Sequence, residues 1–286
     1  MTKQNYTGNL QKQFVRLRWF YFLHLMVAAA ILILYFIDQR WTLVALGCSL
    51  FYHLAIVRPA SKTYEREYIH ACIQSTLERY LSQSLHTREP VLAANELRAV
   101  RLIPDNGGKG SVLCREGGYG MAQEYKVRLG DVTFAHSFPM DGKTHHQFIT
   151  GCWVCVHLGR DTGLDWRLVD KRAIMQPSWN AMLRREKSLK EADAQSPCWW
   201  LESHRAFYAE GTPQPPQQPF MEALRHLCKN TSLPVAACVK EDMLHVFLVN
   251  RLLGQRVSMK VRPQPALIER DYLPELGDIL KLAATL

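Results

Sequence analysis

The sequence predicts an α+β protein: an N-terminal two-helix transmembrane hairpin followed by a mixed soluble domain with mainly antiparallel strands. Three observations carry this. Two apolar runs, residues 19–37 and 41–57, stand back to back with only Asp38, Gln39 and Arg40 between them, and each is long enough to cross a bilayer as a helix. The middle of the chain alternates apolar and polar residues between glycine-rich turns, the pattern of half-buried strands. The last third reads as helix, strand, strand, helix, which is the order of an α+β domain.

Residues 1–18 form a cytoplasmic N-terminal segment in this reading. Lys3, Lys12, Arg16 and Arg18 precede the first run, Arg58, Lys62 and Arg66 follow the second, and the link offers Arg40 alone. By the positive-inside rule both termini face the cytoplasm. The first run is longer than the apolar core of a signal peptide and no small-residue cleavage site follows it, so residues 19–57 are expected to stay as a two-pass anchor. His24 and His53 fall inside the runs near their cytoplasmic ends, where an imidazole can reach the headgroups. The alternative for an intramembrane ionisable group is a proton or ion path.

Residues 61–88 are expected to form a stalk helix, with Ile69, Ile73, Leu77 and Leu81 at four-residue spacing and Pro90 as its stop. A cytosolic α+β domain then fills residues 91–286. Its expected strands are "ELRAVRLI", "SVLCRE", "EYKVRL", "VTFAHSF", "HQFITGCWVCVHL" and "LDWRLVD". The turns between them are placed at "DNGGKG", "EGGYG", Asp141-Gly142 and Gly130-Asp131, the last as the tip of a hairpin. "MLRREKSLKEADA" reads as a solvated helix or loop, with a basic lipid-binding face as the alternative. "TPQPPQQP", residues 212–219, is a Pro-rich spacer or loop. "FMEALRHLCKN" is a helix, "LPVAACV" and "MLHVFLV" are a hairpin around Glu241-Asp242, and the tail from Glu269 is a final helix.

Bulk properties narrow the function. The chain has 286 residues and a net charge of +9. For a chain held at a bilayer, that excess of base reads as attraction to anionic lipid, and no nucleic-acid reader motif accompanies it. The lipid bilayer is the expected partner, with a protein partner beside it and no nucleic acid. The eight cysteines are scattered, and on a reducing side they read as free thiols.

The candidate chemistry is "HHQFITGCWVCVH", which holds His145, His146, Cys152, Cys155 and His157. Cys-x-x-Cys suggests zinc or a redox pair. On a strand, however, side chains alternate, so Cys152 faces one way and Cys155 and His157 the other. The reading is therefore half-buried strand, with no cofactor expected and these five as the candidates should a metal bind. "DNGGKGS" lacks the spacing and strand-to-helix setting of a phosphate loop. No G-x-S-x-G or H-E-x-x-H motif occurs. Ser, His and Asp are plentiful, His136, Ser137, His204 and Asp242 among them, so a nucleophile–base pair stays open as an alternative, and the paired Trp199-Trp200 reads as core or contact surface.

On the stalk "EREYIHACIQSTLERYL", the strand pair "EYKVRLGDVTFAHSF", the long strand "FITGCWVCVHLGRDTGLDWRLVDK", the segments "LESHRAFYAEGTPQP" and "PFMEALRHL", and the closing "LPVAACVKEDMLHVFLV", the chain resembles the bacterial domain-of-unknown-function family 3137. That resemblance implies an N-terminal membrane hairpin and a mixed soluble domain at the bacterial inner membrane. It implies no activity and no site residues. The Cys-x-x-Cys, the paired tryptophans and the longer Pro-rich spacer depart from the family pattern. The expected function is a multi-pass inner-membrane protein whose cytosolic domain binds a partner protein or ligand at the membrane surface. The alternative is a membrane-tethered hydrolase or thiol- or metal-dependent enzyme using residues 145–157.

Overall fold

A computed structural model describes residues 3–37, 39–103, 111–140, 143–170, 189–191, 204–209, 218–257 and 263–286. The chain divides into two compact units, Met1–Ser75 with Arg256–Arg270 and Thr76–Gln255 with Asp271–Leu286.

The first unit is helical. Helix α1 (Lys3–Ile37) includes the basic segment ahead of the first apolar run, and α2 (Gln39–Tyr52) turns back beside it. Leu10, Leu17, His24 and Ile31 recur every seven residues and are among the less exposed positions of α1. On α2 the less exposed positions Thr42, Ala45, Ser49 and Tyr52 follow one another three or four residues apart. Small residues at such a seam let two helices approach closely. The outward faces are apolar and bare, with Leu32 66% and Phe36 81% exposed. Helices Gly8–Ile37 and Arg40–Tyr80 are each long and apolar enough to cross a membrane.

A π turn (His53–Val57) joins α2 to α3 (Arg58–Tyr80) without a break, and the Arg58 N–H reaches back to the His53 carbonyl. Pro59 explains it: proline has no N–H for the carbonyl four residues back and its ring crowds that carbonyl, so the helix widens one residue earlier. The helix expected over 61–88 therefore starts earlier and also ends earlier, at Tyr80. Ser82–Thr87 is strand β1, entered through Gln83 at φ +50 and tied by the Ser82 hydroxyl to the Met121 carbonyl at 3.1 Å.

Among the described residues the second unit is built on a nine-stranded sheet in the order β1-β2-β3-β4-β9-β8-β5-β7-β6. The strands are β2 (Ser111–Ala122), β3 (Tyr125–Met140), β4 (Lys143–His157), β5 (Asp165–Asp170), β6 (Leu189–Glu191), β7 (His204–Ala209), β8 (Val235–Lys240) and β9 (Met243–Val249). Every pairing is antiparallel. The β8–β9 hairpin, turning at Glu241-Asp242 as its sequence predicts, inserts between β4 and β5.

Three sequence expectations are corrected here. Gly130-Asp131 is no hairpin tip: it lies inside β3, opposite Trp153 and Cys152, and the β2–β3 turn sits at Gln123-Glu124 with Gln123 at φ +55. "EGGYG" is strand and not turn, because a Cβ on Gly120 would lie 2.9 Å from the Leu81 Cβ and 3.0 Å from the Ser82 carbonyl. "ELRAVRLI" forms helix α4 (Ala94–Val100) in place of a strand, burying Leu97 and Val100 three residues apart. "DNGGKG" and Trp199-Trp200 lie outside the described residues, as does most of the charged stretch, whose Leu189–Glu191 is β6. Helix α5 (Gln218–Asn230) takes up the last two residues of the Pro-rich segment, placing Pro219 in its first turn, where an N–H would have no partner.

One face of the sheet packs on α4 and the chain beside it: Leu92, Leu97, Val100, Leu102 and Ile103 meet Val132, Phe134, Trp153, Phe247 and Val249. On the opposite face, Phe220 of α5 meets Trp166 edge-on at 5.4 Å. Helix α6 (Pro265–Ile268) belongs to the first unit, and α7 (Glu275–Ala283) lies against α5 in the second. The final helix is thus shorter than expected and opens just after Pro274.

Candidate functional site

The register of the central strands lines up five side chains in one lateral row. Arg128 pairs with Cys155, Cys155 with His245, His245 with Cys238, and Cys238 with Arg167. The row crosses β3, β4, β9, β8 and β5 on the face covered by α4, and it is closed at its α4 end by Glu96. Arg128 grips Glu96 bidentately, Nη1 to Oε2 at 3.0 Å and Nη2 to Oε1. At the other end Arg167 lies 3.4 Å from Asp165.

At the centre of the row, the Trp153 Nε1–H donates to His245 Nδ1 at 3.3 Å, and Cys155 Sγ stands 3.3 Å from the same nitrogen. A nitrogen that accepts from tryptophan carries its lone pair, so the His245 proton sits on Nε2. Burial dominates the electrostatics. It lowers the His245 imidazole from 6.5 to about 4 and pushes the Cys155 thiol well up. It also lifts Cys238 to about 12, against the opposing pull of Arg167. A thiolate–imidazolium pair needs the thiol to titrate below the imidazole. Here burial drives the two apart, so both are neutral at physiological pH, and the contact packs and hydrogen-bonds without supplying a nucleophile.

The opposite face carries a second buried polar group. Asp131 accepts the Leu253 N–H at 2.9 Å and pairs across the strand with Cys152. Arg251, in the same unit, donates to the Tyr272 carbonyl and lies 3.7 Å from Glu275. Burial raises the Asp131 carboxyl from 3.8 to about 7. Burial, followed by the nearby Asp131, raises the Cys152 thiol well above its ordinary value.

The five sequence candidates are thus dispersed. Cys152 and Cys155 occupy opposite faces of β4. His157 is half-exposed and pairs with Asp242 at 2.8 Å. His145 and His146 lie on β4 opposite Phe138 and Ser137, and their side chains fall outside the described residues, as do those of His136, Ser137 and His204. Among the described residues no three His, Cys, Asp or Glu side chains are placed to share a metal ion, and the described cysteines are free. No family model, no curated protein and no solved structure matches the chain.

Sequence reasoning overlooked His245, Asp131 and Arg251. The signal for His245 was present: "MLHVFLV" is apolar on both alternating faces except at that one position. Nothing local marked Asp131, because it followed a glycine and read as a turn.

Proposed function

We propose that this chain is a two-pass protein of the bacterial inner membrane, with both termini in the cytoplasm and a cytosolic domain that binds a partner protein or ligand at the membrane surface. The observation that carries the reading is the bare apolar surface of the α1–α2 hairpin. At 1.5 Å per residue the 35 residues of α1 extend about 52 Å, against a hydrocarbon core of about 30 Å. The helix is long enough to span and still carry Lys12, Arg16 and Arg18 into the headgroups on one side. The neutral, buried Cys155–His245 contact favours a binding domain over a thiol enzyme. The resemblance to family 3137 belongs to the same proposal.

The test is alkaline carbonate extraction followed by labelling of single cysteines with an impermeant maleimide. The chain stays in the pellet, Arg40→Cys labels from outside intact spheroplasts, and Lys12→Cys labels only after lysis. Release by carbonate refutes the anchor, and the opposite labelling pattern refutes the orientation. The enzyme alternative retains the exposed His157–Asp242 pair. It gains ground if Asp242→Asn abolishes a hydrolytic activity detected in the purified protein.

A further inference from the structure

A cleft of about 240 Å³ opens between α1 and the start of α3, entirely within the first unit. Phe14 and Leu17 form its apolar wall, and its polar lining is Arg18, Tyr21, Ser61, Tyr64 and Glu65. The volume falls below the ~300–1,000 Å³ of sites for drug-sized ligands, which suits a lipid headgroup.

Three features of the cleft point to what it holds. Arg18 precedes the first apolar run, Tyr21 lies in its opening turn, and Ser61 follows the second run. If the runs cross a bilayer, the cleft stands at headgroup depth. Next, Tyr64 is 4% exposed, yet its hydroxyl has no hydrogen-bond partner among the described residues. A buried hydroxyl without a partner carries a desolvation penalty that a ligand acceptor removes. The Tyr64 phenol O–H is a hydrogen-bond donor at neutral pH. The Tyr21 and Ser61 hydroxyls stand 3.5 Å apart on the same cleft. Finally, the lining carries one cation and one anion. Arg18 lies over the Phe14 ring at 6.0 Å. Neither Arg18 nor Glu65 has an ion-pair partner among the described residues, although both line the one cleft.

We propose that this cleft binds the headgroup of an amine-bearing phospholipid, with the phosphate against Arg18 and the Tyr64 hydroxyl and the primary ammonium against Glu65. A purely anionic headgroup would meet Glu65 with like charge. A choline headgroup brings a cation without an N–H to donate. The proposal rests on the membrane reading above and adds a ligand to it.

The test uses the full chain, purified in mild detergent and offered an equimolar mixture of phosphatidylethanolamine, phosphatidylcholine and phosphatidylglycerol, with bound lipid read by native mass spectrometry. The ethanolamine lipid is expected to be retained about tenfold over each of the others, the worth of one charge-assisted hydrogen bond. Excess O-phosphoethanolamine displaces it and inorganic phosphate does not. Glu65→Gln brings the ratio close to one, whereas Arg18→Gln and Tyr64→Phe lower the retention of all three lipids together, with helix content and elution volume unchanged. Equal retention of the three lipids, displacement by phosphate alone, a preference that survives Glu65→Gln, or undiminished retention in Arg18→Gln and Tyr64→Phe overturns the site. Carbonate extraction of the same preparation separates the two readings. Release from the membrane overturns both, whereas a membrane-held chain without lipid preference overturns only the headgroup site.

Discussion

His245 and Asp131 sit on opposite faces of one sheet and titrate in opposite senses. The His245 imidazole is lowered to about 4 in the fold. Its contribution to stability is therefore full above its ordinary 6.5 and is lost as pH falls from 6.5 to 4. The Asp131 carboxyl is raised to about 7. Its contribution is full below 3.8 and is lost as pH rises from 3.8 to 7. Between pH 4 and 6.5 the two slopes oppose each other, so the melting temperature of the intact chain varies little on their account. Asp131→Asn keeps an oxygen for the Leu253 N–H and removes one slope. The variant's melting temperature is expected to climb from pH 4 to 6.5, and at pH 8 it gains on the order of a few kcal/mol over the parent. A melting curve series that falls with pH in this variant would contradict the assignment. A second expectation concerns reactivity: Cys155 and Cys238 resist maleimide at pH 8 until the protein is unfolded, as peptide mapping of the labelled sites will show. The opposite facing of Cys152 and Cys155 was legible in the sequence, since strand alternation alone dictates it. The Cys155–His245 contact was not, because its partners are 90 residues apart and meet only through the β4–β9 pairing.

At the scale of elements, glycines and proline explain where the sequence misled. A glycine run is read as a turn because glycine frees the backbone, but in β2 the glycines make room. A Cβ on Gly118 would meet a Leu77 methyl carbon, and one on Gly120 would meet β1 backbone on two sides. Gly120→Ala should destabilise the chain by about 1–3 kcal/mol, the range for overpacking a filled site, visible as a lowered melting temperature. A turn glycine would tolerate the same change. The π turn makes a separate prediction. It presents His53 to His24 with ring centroids 5.0 Å apart. A short bifunctional thiol reagent should therefore bridge cysteines placed at both positions, and Pro59→Ala, which lets the helix close normally, should slow that crosslinking. The apolar runs, the long β4, the β8–β9 hairpin and α5 were all legible, because each is a periodic pattern that closes on itself locally. Helix α4 was not, since its pattern over "ELRAVRLI" suits either element. What decides it is the apolar sheet face beneath Leu97 and Val100, along with the Arg128 side chain that meets Glu96.

At the scale of the molecule, two units with different surfaces share one chain. The helical unit shows bare apolar faces, whereas the sheet unit buries both faces of its middle strands. Hydrogen exchange should therefore be slowest in β4, β9 and β8 and faster in the edge strand β1. That ranking should hold when the detergent is changed, while exchange near the π turn shifts with it. Uniform exchange across the sheet would contradict it. The central strands also come from distant parts of the chain, which makes assembly slow and leaves time for mispairing. The Arg-Cys-His-Cys-Arg row bears on that interval. Sliding β9 by a single residue would thrust His245 among the leucines and valines of the other face and strand the Trp153 N–H without an acceptor. A sheet of plain aliphatics would tolerate many alignments equally well. In this one the polar row acts like the notch on a key, so a strand arriving from ninety residues away meets a penalty at every setting except the native one.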